Sequence, residues 1–410
     1  KITFTQGGNF ITSGFTPPSN IESSLDITVD STSAEGSSLI SIQPGATVTL
    51  PKGNIKLGSD LTVTGGTLNI GNNVNLTATS EKGALNINSA DSAATLQVDS
   101  ARLSSFITSG SQGKINLTNA SSLLVSGDTA VDLGKGVTFD SSAITVSGSN
   151  FNASEAIEGS NASISAQSID LSYSGTASEI KTLTGTNGLN ITGTAALKVD
   201  TLNLATSSNG DILVGTAASQ TATNSVTRAA NNASNATPRT TSTTADLSIA
   251  KLDLAGNSLA ASADSSAPAA VVAIGELVNS NGSSTSSAGT TAVTNQAINT
   301  TAMRSSAMRA PANAPVVLAN PTPMSINNGN IVALQNAIVG VGVSDTATLR
   351  RTFNTGNVKY LDSNGQLNNS DGVKSILYVD QHVSLDSSYR LIADGSTKDL
   401  ATALSNAGSN

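Results

Sequence analysis

Histidine and cysteine, the residues that most often carry catalysis or bind metals, are almost missing from this chain. The sequence contains one His and no Cys. Without Cys there is no disulfide, no thiolate metal site and no cysteine nucleophile. His382 is therefore the one histidine that a Ser-His-Asp arrangement could use. It lies in the segment DQHV, where polar and apolar residues alternate, and this pattern predicts an exposed strand residue instead.

Carboxylate pairs could support glycoside hydrolysis, which needs two carboxyl groups at a set separation. In a parallel β-helix enzyme we would expect them on one external face of adjacent coils. The acidic residues to consider are Asp128, Asp132, Asp140, Glu155, Glu158 and Asp170. Their spacing does not repeat along the chain, so we predict no enzyme activity and name no catalytic residue.

Residues 362–365 (DSNG), followed by Asp371 and Gly372, resemble an oxygen-ligand loop for calcium. They lack the acidic twelfth position of helix–loop–helix calcium sites. The nonapeptide of calcium β-rolls is also absent. A β-turn explains the segment better, and no glycine-rich phosphate loop stands between a strand and a helix. We therefore predict no metal and no cofactor.

Two Met-Arg dipeptides separated by three residues form a candidate partner contact. They are Met303, Arg304, Met308 and Arg309, in a stretch rich in Ser, Thr, Ala and Asn. Such a segment could be a short helical contact or a partner-binding loop. An ordinary loop is the alternative.

Net charge and composition exclude several classes of protein. With 20 Lys and Arg against 28 Asp and Glu, the net charge is −8; because nucleic-acid binding depends on neutralising phosphates, we expect no nucleic-acid partner. There is no run of about 18 apolar residues that could form a transmembrane helix.

The composition also indicates what kind of core the chain can form. Aromatic residues make up 3% of the chain, too few to fill a wide core. The 38% hydrophobic content, rich in Leu, Ile, Val and Ala, suits many thin β-rich cores.

Pairs of aliphatic residues separated by one residue recur between about residues 55 and 215. This period of two places both side chains on one face of a short strand. Turn-forming Gly, Asn, Asp and Ser separate the pairs. Typical pairs are Leu61/Val63, Leu68/Ile70, Leu85/Ile87, Leu96/Val98, Ile115/Leu117, Leu197/Val199, Leu202/Leu204 and Ile212/Val214. No helical periodicity competes, so we expect strands alone in this stretch.

These pairs predict an all-β fold, a right-handed parallel β-helix (β-solenoid) with loop insertions and a distinct C-terminal α+β module. One coil of two or three strands takes roughly 18 to 25 residues and cannot bury its aliphatic pairs alone. Stacking coils about 4.8 Å apart joins the pairs into one narrow core. Outward positions then become ladders of Thr, Ser and Asn, whose amides can hydrogen-bond along the axis. The alternative is a set of tandem antiparallel β-sandwich domains, which usually carry a core Trp or Tyr and longer strands.

Changes in composition predict three regions. Residues 1–54 form an N-terminal cap or entry region, residues 55–324 the β-solenoid body, and residues 325–410 a C-terminal cap or assembly module. Within the body, polar stretches near 216–245 and 279–314 predict flexible insertions.

The last region contains two predicted elements. Residues 375–379 (SILYV) predict a strand. Residues 396–404 predict a helix that begins with a Ser and an Asp in the pattern of a capping box.

The aliphatic pairs are punctuated by Gly-Asn, Gly-Gly and Ser-Gly, and residues 67–76 (TLNIGNNVNL) are typical. This pattern resembles the passenger regions of bacterial autotransporters and of filamentous-haemagglutinin-like surface proteins. The resemblance covers about residues 55–260. It implies export, a β-solenoid and a role in adhesion, surface layers or aggregation.

We therefore expect a non-enzymatic structural protein of the bacterial cell surface, either an adhesin or a self-assembling surface-layer or filament subunit. The chain opens with KITF, which predicts a strand and not a signal peptide, so we expect an N-terminus that was processed or trimmed. The expected extracellular location at the bacterial cell surface is implied by the resemblance. Expected partners are further copies of the chain, or glycans or proteins of a host or cell surface. The alternatives are a carbohydrate-active β-helix of the phage-tailspike or polysaccharide-lyase type, and a host-receptor-binding passenger domain.

Overall fold

The computed structural model of the chain contains two compact units. Unit 1 comprises Lys1–Asp170 with Ser178–Lys181, and unit 2 comprises Leu171–Ala177 with Thr182–Asn410. The residues that the structure describes are 2–4, 9–11, 25–29, 38–79, 83–108, 113–127, 129–140, 142–147, 151–205, 208, 210–215, 246–264, 267–278, 316–319, 324–326, 329–333, 335–343, 345–354, 361–362, 365–367, 375–379, 383–385 and 391–393.

Strands dominate these residues, and the predicted all-β fold is confirmed. In chain order the strands are β1 (Ile2–Phe4), β2 (Asn9–Ile11), β3 (Leu25–Val29), β4 (Ser38–Leu57), β5 (Leu61–Ala78), β6 (Ala84–Asn88), β7 (Thr95–Asp99), β8 (Lys114–Thr118), β9 (Ser122–Ser126), β10 (Val131–Asp132), β11 (Val137–Phe139), β12 (Ala143–Ser147), β13 (Phe151–Ala153), β14 (Glu158–Leu171), β15 (Ser178–Gly193), β16 (Ala196–Leu204), β17 (Ile212–Gly215), β18 (Asp246–Asp253), β19 (Leu259–Ser262), β20 (Ala270–Val278), β21 (Val316–Ala319), β22 (Met324–Ile326), β23 (Gly329–Ala333), β24 (Ala337–Val341), β25 (Ser375–Val379), β26 (Val383–Leu385) and β27 (Leu391–Ala393). The helices are α1 (Ser100–Thr108) and α2 (Thr346–Asn354).

Parallel strands in unit 1 pair with partners that follow one another at regular intervals along the chain. In what we name the Thr62 column, Thr62 of β5 lies opposite Asn86 of β6, Asn86 opposite Asn116 of β8, and Asn116 opposite Thr138 of β11. Successive partners are about 20 to 30 residues apart, which is the length of one solenoid coil. This parallel pairing fits a β-solenoid and does not fit an antiparallel sandwich of these strands.

Two more columns occur in the same unit. The Thr67 column runs through Thr67 of β5, Thr95 of β7 and Ser122 of β9, and then through Ala143 and Ser163. The Asp26 column runs through Asp26 of β3, Asn54 of β4 and Asn75 of β5. Strands β4 and β5 are long because each passes through all three columns, so that each of them makes one coil.

The predicted aliphatic pairs form the narrow core of the coils. Leu61 and Val63 of β5 are fully buried, as are Leu85 and Ile87 in the coil that follows. Thr62, between the first pair, is half-buried on the outward side, as a period of two requires. Burial of each aliphatic side chain stabilises the fold by about 1.5–3 kcal/mol. Because stacked coils bury these side chains together, even strands of only five residues gain this stabilisation.

Helix α1 corrects the expectation that strands alone occur in the repetitive stretch. Asp99 caps it, because Asp99 Oδ1 accepts a hydrogen bond from the backbone N–H of Ala101 at 2.9 Å. Leu103, Phe106 and Ile107 follow at the spacing of one helical face, and all three are buried. The helix packs against β5 and β10, so a short amphipathic helix fills a place in the core of unit 1.

Unit 2 shows the same kind of parallel stacking in three columns. The Leu189 column runs through Leu189, Ile212, Leu259 and Ile331. The Leu197 column runs through Leu197, Leu247, Val272, Val339 and Leu377. The Leu202 column runs through Leu202, Leu252 and Leu277. All of these side chains are buried.

Helix α2 covers part of the core of unit 2. Leu349 and Phe353 of this helix are buried together with Ile338, Ile376 and Tyr378. The rings of Phe353 and Tyr378 meet edge to face, with centroids 5.8 Å apart and planes at 89°. The cluster therefore joins α2 to strands β24 and β25.

Several sequence predictions concern residues outside the described ranges. The insertions near 216–245 and 279–314 fall entirely there, and so does the helix predicted at 396–404. The strand predicted at residues 375–379 is confirmed as β25. The division into regions 1–54, 55–324 and 325–410 stays a prediction.

Candidate binding surface

A ladder of amide and hydroxyl groups follows the Thr62 column on the outward side of unit 1. Asn86 Nδ2 donates to Thr62 Oγ1 at 3.5 Å, and Asn116 Nδ2 donates to Asn86 Oδ1 at 2.7 Å. The hydroxyl of Thr138 in turn donates to Asn116 Oδ1. Four consecutive coils are thus linked through side chains as well as through the backbone. The predicted ladders of Thr and Asn are confirmed here.

The Asp26 column carries a second ladder. Asn54 donates to Asp26 Oδ1 through its Nδ2 at 2.8 Å and through its backbone N–H at 3.1 Å. Asn75 Nδ2 lies 3.5 Å from Asn54 Oδ1. A third pair, Asn119 Nδ2 to Asn88 Oδ1 at 2.8 Å, lies next to the Thr62 column. Stacked amides therefore recur on more than one face of the unit.

These ladders are preorganised and mainly neutral. Amides and hydroxyls do not change charge near neutral pH, so they cannot serve as general acids or bases there. Each Asn can still offer a second amide hydrogen and further lone pairs to a neighbouring surface. The arrangement is suited to hydrogen bonding with a polar, uncharged partner at many equivalent points.

Asp132, one of the acidic candidates, holds two loops together. Its Oδ1 accepts hydrogen bonds from the N–H groups of Gly134 at 3.0 Å and Ser154 at 3.1 Å. Its Oδ2 accepts the hydroxyl proton of Ser154. The carboxylate is therefore engaged by three donors in a structural contact between neighbouring coils.

The other acidic candidates lie on separate elements. Asp140, Glu155 and Glu158 are exposed, whereas Asp170 of β14 is 7% exposed. Asp128 lies outside the described residues. Within the described part of the chain, no group of three or more His, Asp or Glu side chains is placed to hold a metal ion.

Asp362 and Gly365, the two ends of the DSNG segment, are hydrogen-bonded as the sequence favours, whereas residues 363 and 364 lie outside the described ranges. The backbone N–H of Gly365 donates to the carbonyl oxygen of Asp362 at 3.1 Å, which is the bond of a β-turn. Asp362 Oδ1 accepts the N–H of Gln366 at 3.0 Å. Leu361 and Leu367 pair across this turn as an antiparallel bridge.

The remaining site candidates lie outside the described residues. They are His382 and the possible partner contact formed by Met303, Arg304, Met308 and Arg309. That contact stays a prediction.

An ion pair that the sequence did not reveal joins α2 to the start of β18 in unit 2. Arg350 Nε donates to Asp246 Oδ2 at 2.8 Å, and Arg350 Nη2 donates to Asp246 Oδ1 at 2.5 Å and to the carbonyl oxygen of Ala269 at 2.8 Å. Both side chains are about a quarter exposed, and such a bidentate geometry is the strong form of this pair. Local sequence could not signal it, because 104 residues separate the partners.

Asp345 directly precedes α2 and caps its N-terminus, and it is a second polar group that the sequence did not reveal. Burial by itself would raise the pKa of Asp345, but hydrogen bonds from the N–H of Ala347 and from the hydroxyl and N–H of Thr348, together with the charge of Arg351, lower it below its ordinary value. The pattern Asp-Thr-Ala-Thr is a capping signal that could have located the helix.

Neither helix of the described residues is long and apolar enough to cross a membrane. In comparisons with known proteins, no family model, no curated protein and no solved structure matches the chain.

Proposed function

We propose that this protein is a non-enzymatic structural component of a bacterial cell surface, acting as an adhesin or as a self-assembling surface-layer or filament subunit. The stacked parallel strands of both units support this role, because each coil adds surface without adding a new kind of site. The net charge of −8 on 410 residues is small, so repulsion between copies is weak.

The ladder of the Thr62 column is the observation that carries the proposal. It repeats neutral hydrogen-bonding groups from coil to coil at Thr62, Asn86, Asn116 and Thr138. Many weak, equivalent contacts sum to stable attachment when they are linked on one body. The partner is therefore a second copy of the chain, or a glycan or protein of a host or cell surface, and not a nucleic acid.

We further propose that the coils form a right-handed parallel β-helix with loop insertions and a distinct C-terminal α+β module. Right-handed crossovers between parallel strands are strongly preferred. Helix α2 and the antiparallel pair of β26 and β27, which lie within residues 325–410, support the terminal module. An experimental structure with left-handed coils would contradict this part of the proposal.

Assembly is tested by light scattering and negative-stain electron microscopy of the full chain over a concentration series. We expect ordered multimers at high concentration. Thr138→Lys places a charge on the exposed end of the ladder and should reduce assembly at least about tenfold, since like charges then meet on a neutral face. Ser163→Lys changes an equally exposed residue of the Thr67 column and should leave assembly unchanged.

Adhesion and surface location are tested on cells that express the protein. We expect the protein to be cleaved when intact cells are treated with protease and to be retained on glycan or host-cell surfaces. A protein that stays monomeric, binds no surface and is protected in intact cells would contradict the proposal. Turnover of a polysaccharide panel would favour a carbohydrate-active β-helix instead.

A further inference from the structure

In the part of the chain that the structure describes, the last parallel strand of each column of unit 2 pairs with a strand that runs antiparallel to the coils. In the Leu189 column, Ile331 of β23 pairs with Leu259 on one side in parallel and with Met324 of β22 on the other side in antiparallel orientation. In the Leu202 column, Leu277 of β20 pairs in antiparallel orientation with Leu391 of β27.

The Leu197 column ends in the same way and shows the arrangement most fully. Strand β25 pairs in parallel with β24, where Val339 lies opposite Leu377. On its other side β25 pairs in antiparallel orientation with β21, where Leu318 lies opposite Leu377 over a register of four residues. Within the described residues, β25 is the strand that pairs with β21.

This end of a coil stack is where another chain could add a strand. A parallel stack presents unpaired N–H and C=O groups at its last coil, which is the template that edge-to-edge association uses. Strand β25 has the sequence SILYV, which has the high β propensity, the low charge and the absence of Pro typical of aggregating segments. An uncovered β25 would therefore be a strong site for self-association.

Strand β21 makes a poor template for further growth. It is four residues long and reads VVLA, with Pro315 directly before it and Pro321 two residues after it. A short strand flanked by Pro is a common way to end a sheet, since Pro donates no ladder hydrogen bond. Its antiparallel direction also breaks the parallel register that the next coil would need.

We infer that β21 is a lock on the Leu197 column, which prevents a second copy of this chain from adding a strand to β25. This inference rests on the proposed function for one consequence, namely that assembly proceeds through the side faces of the coils and not by addition of coils at this end. The lock itself operates whether or not the intact protein assembles.

A disulfide between β21 and β25 tests the lock in the full chain. The protein has no Cys, so Leu318→Cys with Leu377→Cys introduces one defined pair at directly opposite positions. Opposite residues in antiparallel strands lie about 4.5 to 5.5 Å apart at Cα, which a disulfide can span. The reduced form of the same variant is the matched control.

Both forms are heated to just below the unfolding transition, and thioflavin T fluorescence and electron microscopy follow fibre formation. We expect the reduced form to produce fibres at least about tenfold faster, because β21 then separates from β25 by local opening. Equal rates in the two forms, including no fibres in either, would overturn the inference.

A proline pair tests the same contact without heating. Neighbouring residues of an antiparallel strand direct their N–H groups to opposite sides, so Val317→Pro with Leu318→Pro removes a donor to β25 in either register. We expect thioflavin-positive multimers at room temperature, whereas Asn313→Pro, which lies before the strand, should behave as the wild type. Microscopy of the wild type, which shows whether multimers form, tests the proposed function. The difference between the Val317→Pro/Leu318→Pro variant and Asn313→Pro tests the lock.

Discussion

At the scale of single residues, glycine allows neighbouring coils to approach closely at a corner of the coil. Gly65 has a φ of +70° and lies opposite Ile42 of the preceding coil. A Cβ added there would fall inside the contact distance of the Ile42 carbonyl oxygen, whereas at Gly45, with a φ of +78°, nothing lies within 4 Å of the added atom. The two glycines share the left-handed backbone and differ in steric space.

Replacing these glycines separates the two effects. Gly45→Ala should lower the free energy of unfolding by about 1 kcal/mol, the cost of a left-handed alanine. Gly65→Ala carries the same cost and also forces two coils apart, so we expect a loss of about 3 kcal/mol or more. Urea denaturation of both variants measures the difference. Equal losses would show that the coils are not in close contact at this corner.

Asp345 gives unit 2 a dependence on pH. Its folded pKa lies below the ordinary value of 3.8, so the carboxylate stabilises the folded state above that pH. The contribution is lost as the pH falls from about 4 through the lower folded pKa. Asp345→Asn keeps a capping oxygen for the N–H of Ala347 but does not titrate.

We therefore expect the wild type to lose stability relative to Asp345→Asn as the pH is lowered below about 4. Denaturation midpoints of the two proteins over a pH series measure this, and the difference between the midpoints cancels the titration of all other groups. Parallel curves for the two proteins would show that the cap does not depend on the charge.

At the scale of elements, period-two pairs predict strands reliably and predict their partners poorly. Leu61/Val63 and Leu202/Leu204 specify which face of a strand is buried, and both pairs are buried in strands. The same alternation is compatible with either strand direction, so the antiparallel β21 and β22 could not be distinguished from the coils. Leu103, Phe106 and Ile107 of α1 have helical spacing, but strand pairs on both sides obscured so short an element.

The docking of α2 on β24 depends on one small residue. A Cβ added to Gly340 of β24 would lie 2.6 Å from Leu349 Cδ1, and Leu349 is fully buried, so it has little room to move. Gly340→Ala should therefore destabilise unit 2 by about 1–3 kcal/mol through overpacking.

Truncation of the opposing side chain provides the control for this prediction. Leu349→Ala alone should cost about 2–5 kcal/mol by leaving a cavity, and the added methyl group of Gly340→Ala should fill part of that cavity. We expect the double variant to be less destabilised than the sum of the two single variants in urea denaturation. Additive losses would mean that the two residues do not share this space.

At the scale of the whole chain, the coil repeat was predictable and the long-range contacts were not. The ladder through Asn86 and Asn116 follows from outward positions that recur once per coil, and the structure confirms it. The Arg350–Asp246 pair and the structural role of Asp132 depend on which coil meets which loop. Local sequence contains no signal for these contacts, because they arise only after the coils have stacked.

Pairing in unit 2 resumes in register on both sides of a long polar segment, and this leads to a prediction about the chain as a whole. Strand β18 lies beside β16 with Leu197 opposite Leu247 and Leu202 opposite Leu252, although residues 216–245 intervene. A solenoid depends on contacts between adjacent coils, so the coils should not need this segment. Replacing residues 217–244 by a Gly-Ser linker of about six residues should leave the far-ultraviolet circular dichroism of the coils intact. It should raise the free energy of unfolding by roughly 1 kcal/mol, since the shorter loop costs less entropy to close.

A Gly-Ser linker of the original length serves as the control and should match the wild type in urea denaturation. A several-kcal/mol loss with the short linker but not with the long one would mean that the span from β17 to β18 needs the length, and a loss with both would mean that the segment itself packs on the coils.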